Sequence, residues 1–465
     1  MDFHSKNMTS PFGCLLCVLA GSMLALAACG GGSDSHSDTA PAGSISANVS
    51  GLNAGRTVSL AINGSAPVSI AANGTASLAI GLSAGSAYAV TIGSQPTRQT
   101  CNLTGADGTV PAGGAAMLTL ACTDNLMFAY VTNPISHDVS VFIINQVVGS
   151  LTALSTTRTE AGNPSAGFTG VRPVSVAAEP SGRFVYIASL NTSGVATYSI
   201  NPGTGALTAV GTPVATGTRP VSVVVEPSGR FVYVTNSRSN NISVYSINPG
   251  SGALTAAGLP SDVGYAPGGG LAFEPGGKFA YVTGYFDNTV AAYSINQGTG
   301  ALTAVGSPVA AGTSPDSVAV EPGGKFVYVA NSGSNNVSAY RINPGTGTLA
   351  AVGAPVAAGA LPVKVAVDPG GKFAYVTNRL ADSVSVYSIN PATGALAAAG
   401  GPIAVGSGPG SLVAEPSGRF IYVTLQDSYQ VAPFIIDRAT GGFSPAGTAV
   451  GSGSSPSGIA ISQRP

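Results

Sequence analysis

A tyrosine inside a stretch of the type "FVYV" recurs at positions 130, 186, 233, 281, 328, 375 and 422. The first interval is 56 residues, and every later one is 47 or 48. A proline keeps nearly the same step, at 173, 220, 267, 315, 362, 409 and 456. Two series of seven with one period mean that a single supersecondary unit is written seven times and cannot bury its apolar faces alone. The fifth unit shows what is repeated: the four strand-like stretches "SVAVEP", "KFVYVAN", "VSAYRIN" and "TLAAVGAPV". In "KFVYVA" one face carries Phe326, Tyr328 and Ala330 and the other Val327 and Val329, so this sheet must be sandwiched between neighbours. Charged residues are only 8% of the chain, against about a quarter in an average protein. The 64 glycines and 32 prolines supply tight turns. The expectation is an all-β chain whose residues 125–465 form a seven-bladed β-propeller with four strands per blade.

The ends of that region test the expectation. The first unit opens at "LMFAYVTN" with no inner strand before it, whereas "SPSGIAIS" (455–462) is an inner strand with no blade of its own. Joined, they complete one blade and close the ring without an open sheet edge. Residues 44–124 read differently. "SISANVSGL", "RTVSLAING", "SAYAVTIG", "RQTCNLTG" and "AAMLTLACTD" are short alternating runs divided by Gly, Asn and Pro, the pattern of a small β-sandwich. A net charge of −1 argues against nucleic acid as a partner, since phosphate binding needs a basic surface.

Three resemblances add to this reading. "YVTN" at 130–133, 233–236 and 375–378, "YVAN" at 328–331 and the continuation "NNISVYSINPGSGALT" (240–255) resemble the YVTN-repeat propellers. More broadly they resemble the seven-bladed lactonase-like superfamily, which includes 6-phosphogluconolactonase-type enzymes. Residues 44–124 are similar to the immunoglobulin-like spacer modules of bacterial surface lipoproteins. The N-terminus resembles a bacterial lipoprotein signal: Lys6, the apolar run "CLLCVLAGSMLALAA", then "LAAC" from Leu26 to Cys29 and the tether "GGGSDSHSDTAPAGS". That resemblance implies removal of residues 1–28, a lipid on Cys29 and a flexible tether over 29–43, with Gly30 pointing to the outer membrane. An ordinary secretory signal is the alternative. Export would put Cys101 and Cys122 in an oxidising compartment, where a disulfide is expected over two free thiols.

Comparison of the seven copies separates scaffold from candidate site. The turns leaving the inner strands are uniform, as in "EPSGRF" and "EPGGKF". Each sets an acid four residues before a base, from Glu179 and Arg183 to Glu415 and Arg419, which reads as an ion pair across a tight turn. The opposite face varies. Its loops place Arg172, Arg219, Asp316 and Lys364 at the mouth of the central channel, with Arg238, Tyr285, Phe286, Asp287, Arg379, Asp382, Asp427 and Tyr429 as a second tier. Three cations and one carboxylate suit a small anionic or sugar-like ligand; solvated loop charges are the alternative. "GGG" at 268–270 reads as an irregular lead into its blade, and Asn240 and Asn335 as left-handed turn formers.

The lactonase-like resemblance implies histidine, glutamate and arginine around the mouth, often with a His shortly after the loop proline. Here those positions hold Ser175, Ser222, Ser317, Lys364 and Ser411, and His137 reads as an exposed loop residue. The catalytic candidates that remain are Asp316 as base and Lys364 beside the oxyanion, with Arg172 and Arg219 in support. An ordinary Asp, with a pKa of about 3.9, is a poor base at neutral pH. The expected role is therefore binding or scaffolding in the cell envelope, periplasmic or at the surface, by a monomer without cofactor or metal. Its partner would be a small anionic or sugar-like ligand or an envelope protein, and it would reach the membrane through a lipid anchor only. The alternative is a lactone hydrolase of the 6-phosphogluconolactonase type. A quinoprotein-dehydrogenase-like subunit shares the architecture but shows no cofactor residues.

Overall fold

The structure, a computed structural model, describes residues 42–96, 99–158, 171–264 and 267–463. The apolar leader, Cys29 and the tether as far as residue 41 lie outside the described residues. Blade 2 sets the pattern: an inner strand Pro173–Ala178, a second strand Phe184–Ser189, a third Gly194–Ile200 and an outer strand beginning at Leu207–Ala209, in that order across one antiparallel sheet. Blades 3 to 7 repeat it from inner strands Pro220–Val225, Pro267–Phe273, Pro315–Val320, Pro362–Val367 and Pro409–Ala414. The recurrent proline is the first residue of each of these strands, where its missing N–H breaks no ladder bond.

Blade 1 is made from both ends of the propeller region. Its second strand, Met127–Asn133, pairs antiparallel with the inner strand Gly458–Gln463. The inner strands touch in cyclic order, and Gly458–Gln463 lies against the inner strands of both blade 7 and blade 2. The ring is closed as the sequence requires. One detail departs from four plain strands. In blades 2 to 7 the outer strand is broken into two short pieces, as at Leu349–Ala351 and Val356–Ala357, which both pair with Asn336–Ile342. Gly353, with φ of +62°, and Pro355 interrupt the ladder between them.

The repeated letters have a packing reason. The second strands are buried on both faces, as the burial of Phe326–Asn331 shows throughout its length. Each strand's phenylalanine lies where a Cβ would fall on one glycine of the next blade: Phe326 against Gly394, Phe373 against Gly441, Phe420 against Gly149. Those glycines also hold φ between +70° and +80°, so both the ring and the backbone exclude a larger residue. The tyrosine two positions on completes the joint. Tyr130, Tyr186, Tyr233, Tyr281, Tyr328 and Tyr422 each donate to the carbonyl of that same glycine at 2.7–3.2 Å. Burial pushes these phenols well above their ordinary range, which keeps the donating proton in place.

The uniform exit turns are scaffold, by hydrogen bonds other than the expected ion pair. Glu179 accepts from the backbone N–H groups of Ser181 and Arg183, each at 2.8 Å, and from the Ser181 hydroxyl. Arg183 turns outward instead. It lies over the Phe184 ring at 5.2 Å and donates to Pro249 O of the next blade at 2.6 Å. Arg419 does the same across the closure, over Phe420 and onto Val147 O at 3.0 Å. A carboxylate with several N–H donors is a better use of a tight turn than one exposed pair.

Ahead of the ring, two four-stranded sheets face each other. One runs Gly74–Leu82, Gly43–Ser50, Ala115–Asp124, Gln99–Thr104; the other runs Val68–Ile70, Val58–Ile62, Ala87–Ser94, Asp107–Thr109. They share one core, with Ile45, Leu118 and Leu120 from the first sheet packed on Val58, Leu60 and Val90 from the second. Cys101 and Cys122 stand directly opposite each other on neighbouring strands and form a disulfide. From Asp124 the chain passes through Asn125 and Leu126 into blade 1 at the rim of the exit turns. Thr100, Thr123 and Asp124 there share a cavity with Gly182 and Gly203 of blade 2.

Candidate functional site

The inner strands start at the rim opposite the exit turns, and their first residues encircle a cavity of about 260 Å³. All seven blades contribute, mostly small side chains: serines 175, 222, 317, 411 and 457, with Gly269 and Gly410. Some of these serines are structural. Ser175 Oγ accepts from Val223 N at 3.1 Å, and Ser317 Oγ accepts from Val365 N at 3.3 Å, each tying one inner strand to the next. In blade 6 the serine's place is taken by Lys364, and in blade 5 the preceding residue is Asp316. These two facing charges are what sets this ring apart from a lining of small groups.

Each of the two is perturbed by the same cause. Burial raises the Asp316 carboxyl to about 6, and the positive charge of Lys364 offsets only part of that rise. Burial lowers the Lys364 ammonium from its ordinary range, and Asp316 partly restores it. Both side chains keep some solvent contact, through the cavity they line. A carboxylate whose proton affinity is lifted toward neutrality, beside an ammonium whose proton affinity burial lowers, is a combination suited to proton transfer.

Arg379 and Gln426 join this cavity from the turns between second and third strands. Blade 6 makes that turn with a short 3-10 segment, Arg379–Ala381, and Asp382 follows in the left-handed region at φ of +50°. Blades 3, 5 and 6 alike brace this turn with a buried asparagine: Asn331 Nδ2 donates to Asn336 Oδ1 at 2.8 Å and to Ser338 Oγ at 2.9 Å, and Asn378 Nδ2 to Ser383 Oγ at 3.2 Å and Ser385 Oγ at 2.9 Å. Blade 7 has Leu425 in place of that asparagine, just before Gln426. Arg379 approaches Asp427 at 3.9 Å, but both are exposed, so the pair adds little stability.

The other expected mouth residues divide. Arg219 lines a second, larger cavity of about 610 Å³ together with Arg238, Tyr285 and Phe286, and Asp316 borders both cavities. Arg219 sits in the left-handed region, φ of +59°, directly before Pro220, and Ser237 holds it there by donating its N–H to the Arg219 carbonyl at 2.9 Å. Arg172 is exposed and borders neither cavity. His137 is half-buried rather than exposed; its Nδ1 meets the carbonyl of Val171, which fixes it to the loop leading into blade 2. Asn240 and Asn335 hold φ of +56° and +53°, as turn formers should.

The family profile described as "Lactonase, 7-bladed beta-propeller" matches residues 119–268, 266–367 and 360–457. The chain belongs to this lactonase family. Solved structures agree on the fold of the lactonase-family propeller. A candidate 6-phosphogluconolactonase from Bacteroides uniformis superposes with a TM-score of 0.63 at 21% identity, over 73% of this chain and 100% of that one. The periplasmic gluconolactonase of Pseudomonas aeruginosa gives 0.60 at 18% identity, again over 73% and 100%. No curated protein sequence matches the lactonase-family chain.

Proposed function

We propose that the mouth of the propeller hydrolyses the ring ester of a small sugar-acid lactone. The observation that carries this is the Asp316–Lys364 pair facing one cavity, with the Asp316 proton affinity lifted to about 6. That shift removes the objection that an ordinary aspartate is too weak a base. Water attacks the lactone carbonyl while the ionised Asp316 takes one of its protons. The Lys364 ammonium faces the oxyanion that develops, with Arg379 at the rim as further positive charge. The bond from the acyl carbon to the ring oxygen then breaks, and Asp316 returns its proton to the departing alkoxide. The product is the open hydroxy acid, and both side chains end as they began. Membership of the lactonase family and the likeness to two lactonase-type folds support this reading. Cleavage of the leader before Cys29, lipidation there and display at the cell envelope belong to the same proposal, resting on "LAAC" and the tether after it.

The test is hydrolysis of glucono-1,5-lactone and a panel of other aldonolactones by the purified chain. Asp316→Asn is expected to lower kcat by roughly 10²–10⁴-fold, the range for removing a general base. Lactone turnover unaffected by that substitution would overturn the assignment. Tight retention of aldonates with no turnover would leave the mouth as a binding site only.

A further inference from the structure

The loop face is not seven-fold symmetric, and among the described residues one departure lies between blades 3 and 4. In blade 5 the ladder steps from Pro315↔Asn331 to Ser317↔Ala330, a bulge of one extra residue on the inner strand. In blade 4 it steps from Pro267↔Gly284 to Leu271↔Val282, so the inner strand carries two extra residues among Gly268, Gly269 and Gly270. A Cβ on Gly268 would strike Pro315 O, and one on Gly270 would strike Thr283 and Val318 N. The bare backbone thus lets blade 4 press against blade 5, and its inner strand packs more closely there than on blade 3. The gap left on the other side is the 610 Å³ cavity, more than twice the volume of the mouth.

Its walls differ in chemistry from the mouth. Blade 3 supplies two exposed guanidinium groups, Arg219 and Arg238. Blade 4 supplies Tyr285 and Phe286, set edge to face at 5.2 Å and 87°, with Phe286 66% exposed. At the equivalent turn blade 5 offers only Ser332 and Gly333. The groove opens into the mouth past Val221, Gly269 and Asp316, which border both.

We propose that this groove is a second subsite, which holds a uronic-acid residue joined to the lactone ring. The substrate class is then an acidic disaccharide or longer fragment that ends in an aldonolactone. Two guanidiniums suit a carboxylate, and the Phe286 face suits the C–H face of a pyranose, as an apolar surface beside polar groups. Gly269, lacking a side chain, leaves clearance for the glycosidic link between the two rings. The assignment builds on the mouth as the lactone site, and its test is kept separate from turnover.

Isothermal titration of the full chain with three open-chain aldonates, which have no lactone to hydrolyse, decides it. The ligands are gluconate, cellobionate and glucuronosyl-gluconate. Glucuronosyl-gluconate is expected to bind about 10–100-fold more tightly than cellobionate; Arg238→Ala is expected to collapse that ratio toward one, and Phe286→Ala to weaken both disaccharides relative to gluconate while leaving the ratio in place. Circular dichroism and thermal melts confirm that each variant is folded. Equal affinity for the two disaccharides, or a preference that survives Arg238→Ala, overturns the groove. A chain that turns over glucono-1,5-lactone without any such preference loses only the groove, and one that shows the preference without turnover loses only the hydrolase reading.

Discussion

Asp316 and Tyr375 are each unlike their counterparts in the other blades, and each leads to a measurement. If Asp316 acts as its carboxylate, kcat/KM for a lactone rises with pH and is half-maximal near the Asp316 value of about 6, and it falls again at higher pH where the buried Lys364 gives up its proton. The same shift acts on folding. A carboxyl held more tightly protonated in the native state than in the unfolded chain makes stability fall as pH rises from about 4 to about 6, by up to about 3 kcal/mol. Thermal melts of the parent should therefore lose more over that window than melts of Asp316→Asn; equal losses would count against the buried carboxyl. Tyr375 is the one tyrosine of its series whose hydroxyl is buried with no hydrogen-bond partner among the described residues. Tyr375→Phe should be neutral or stabilising, whereas Tyr328→Phe should cost about 1 kcal/mol by orphaning the Gly394 carbonyl, as read from denaturant unfolding. Part of this scale was legible beforehand. Asp316 and Lys364 stand out because every other copy has a small residue in one of their places. Arg172 looked equivalent to Arg219, yet of the two only Arg219 lines the groove beside the mouth, because that groove depends on a backbone bulge one blade further on.

Between blades, the element that holds the ring is a phenylalanine and a tyrosine clamped on one glycine of the next sheet. Gly394→Ala puts a Cβ onto the Phe326 ring and forces alanine to φ of +77°. A loss of roughly 2–4 kcal/mol is expected, from the left-handed backbone and the overpacking together. Gly353→Ala is the control, with φ of +62° but open space around it, and should cost only about 1 kcal/mol. Similar melting temperatures for the two variants would refute the clamp. The strands themselves were readable from alternation and period, since burial on both faces leaves a continuous apolar run. The broken outer strands were not, because a run such as "TLAAVGAPV" has the composition of a strand while its glycine and proline interrupt the pairing. The paired charges of the exit turns were legible, but not their use: spacing alone does not tell a carboxylate that bonds its own turn from one that meets the base.

At the scale of the molecule, the propeller is closed by pairing Gly458–Gln463 with Met127–Asn133. Deleting residues 456–465 strips blade 1 of its inner strand, so the variant should lose its cooperative thermal transition and become sensitive to limited proteolysis; an intact melt would show that closure is dispensable. Reducing the Cys101–Cys122 bond should instead touch only the small two-sheet unit, at a cost of about 3 kcal/mol for a loop of 21 residues, and leave the propeller melt in place. That small unit joins the ring on the side of the exit turns, beneath Gly182 and Gly203, while the Asp316 cavity opens on the other side. An attachment made at the small two-sheet unit therefore takes hold from the floor of the disc. The cavity lined by Asp316 and Lys364 then lies on the face turned away from that attachment.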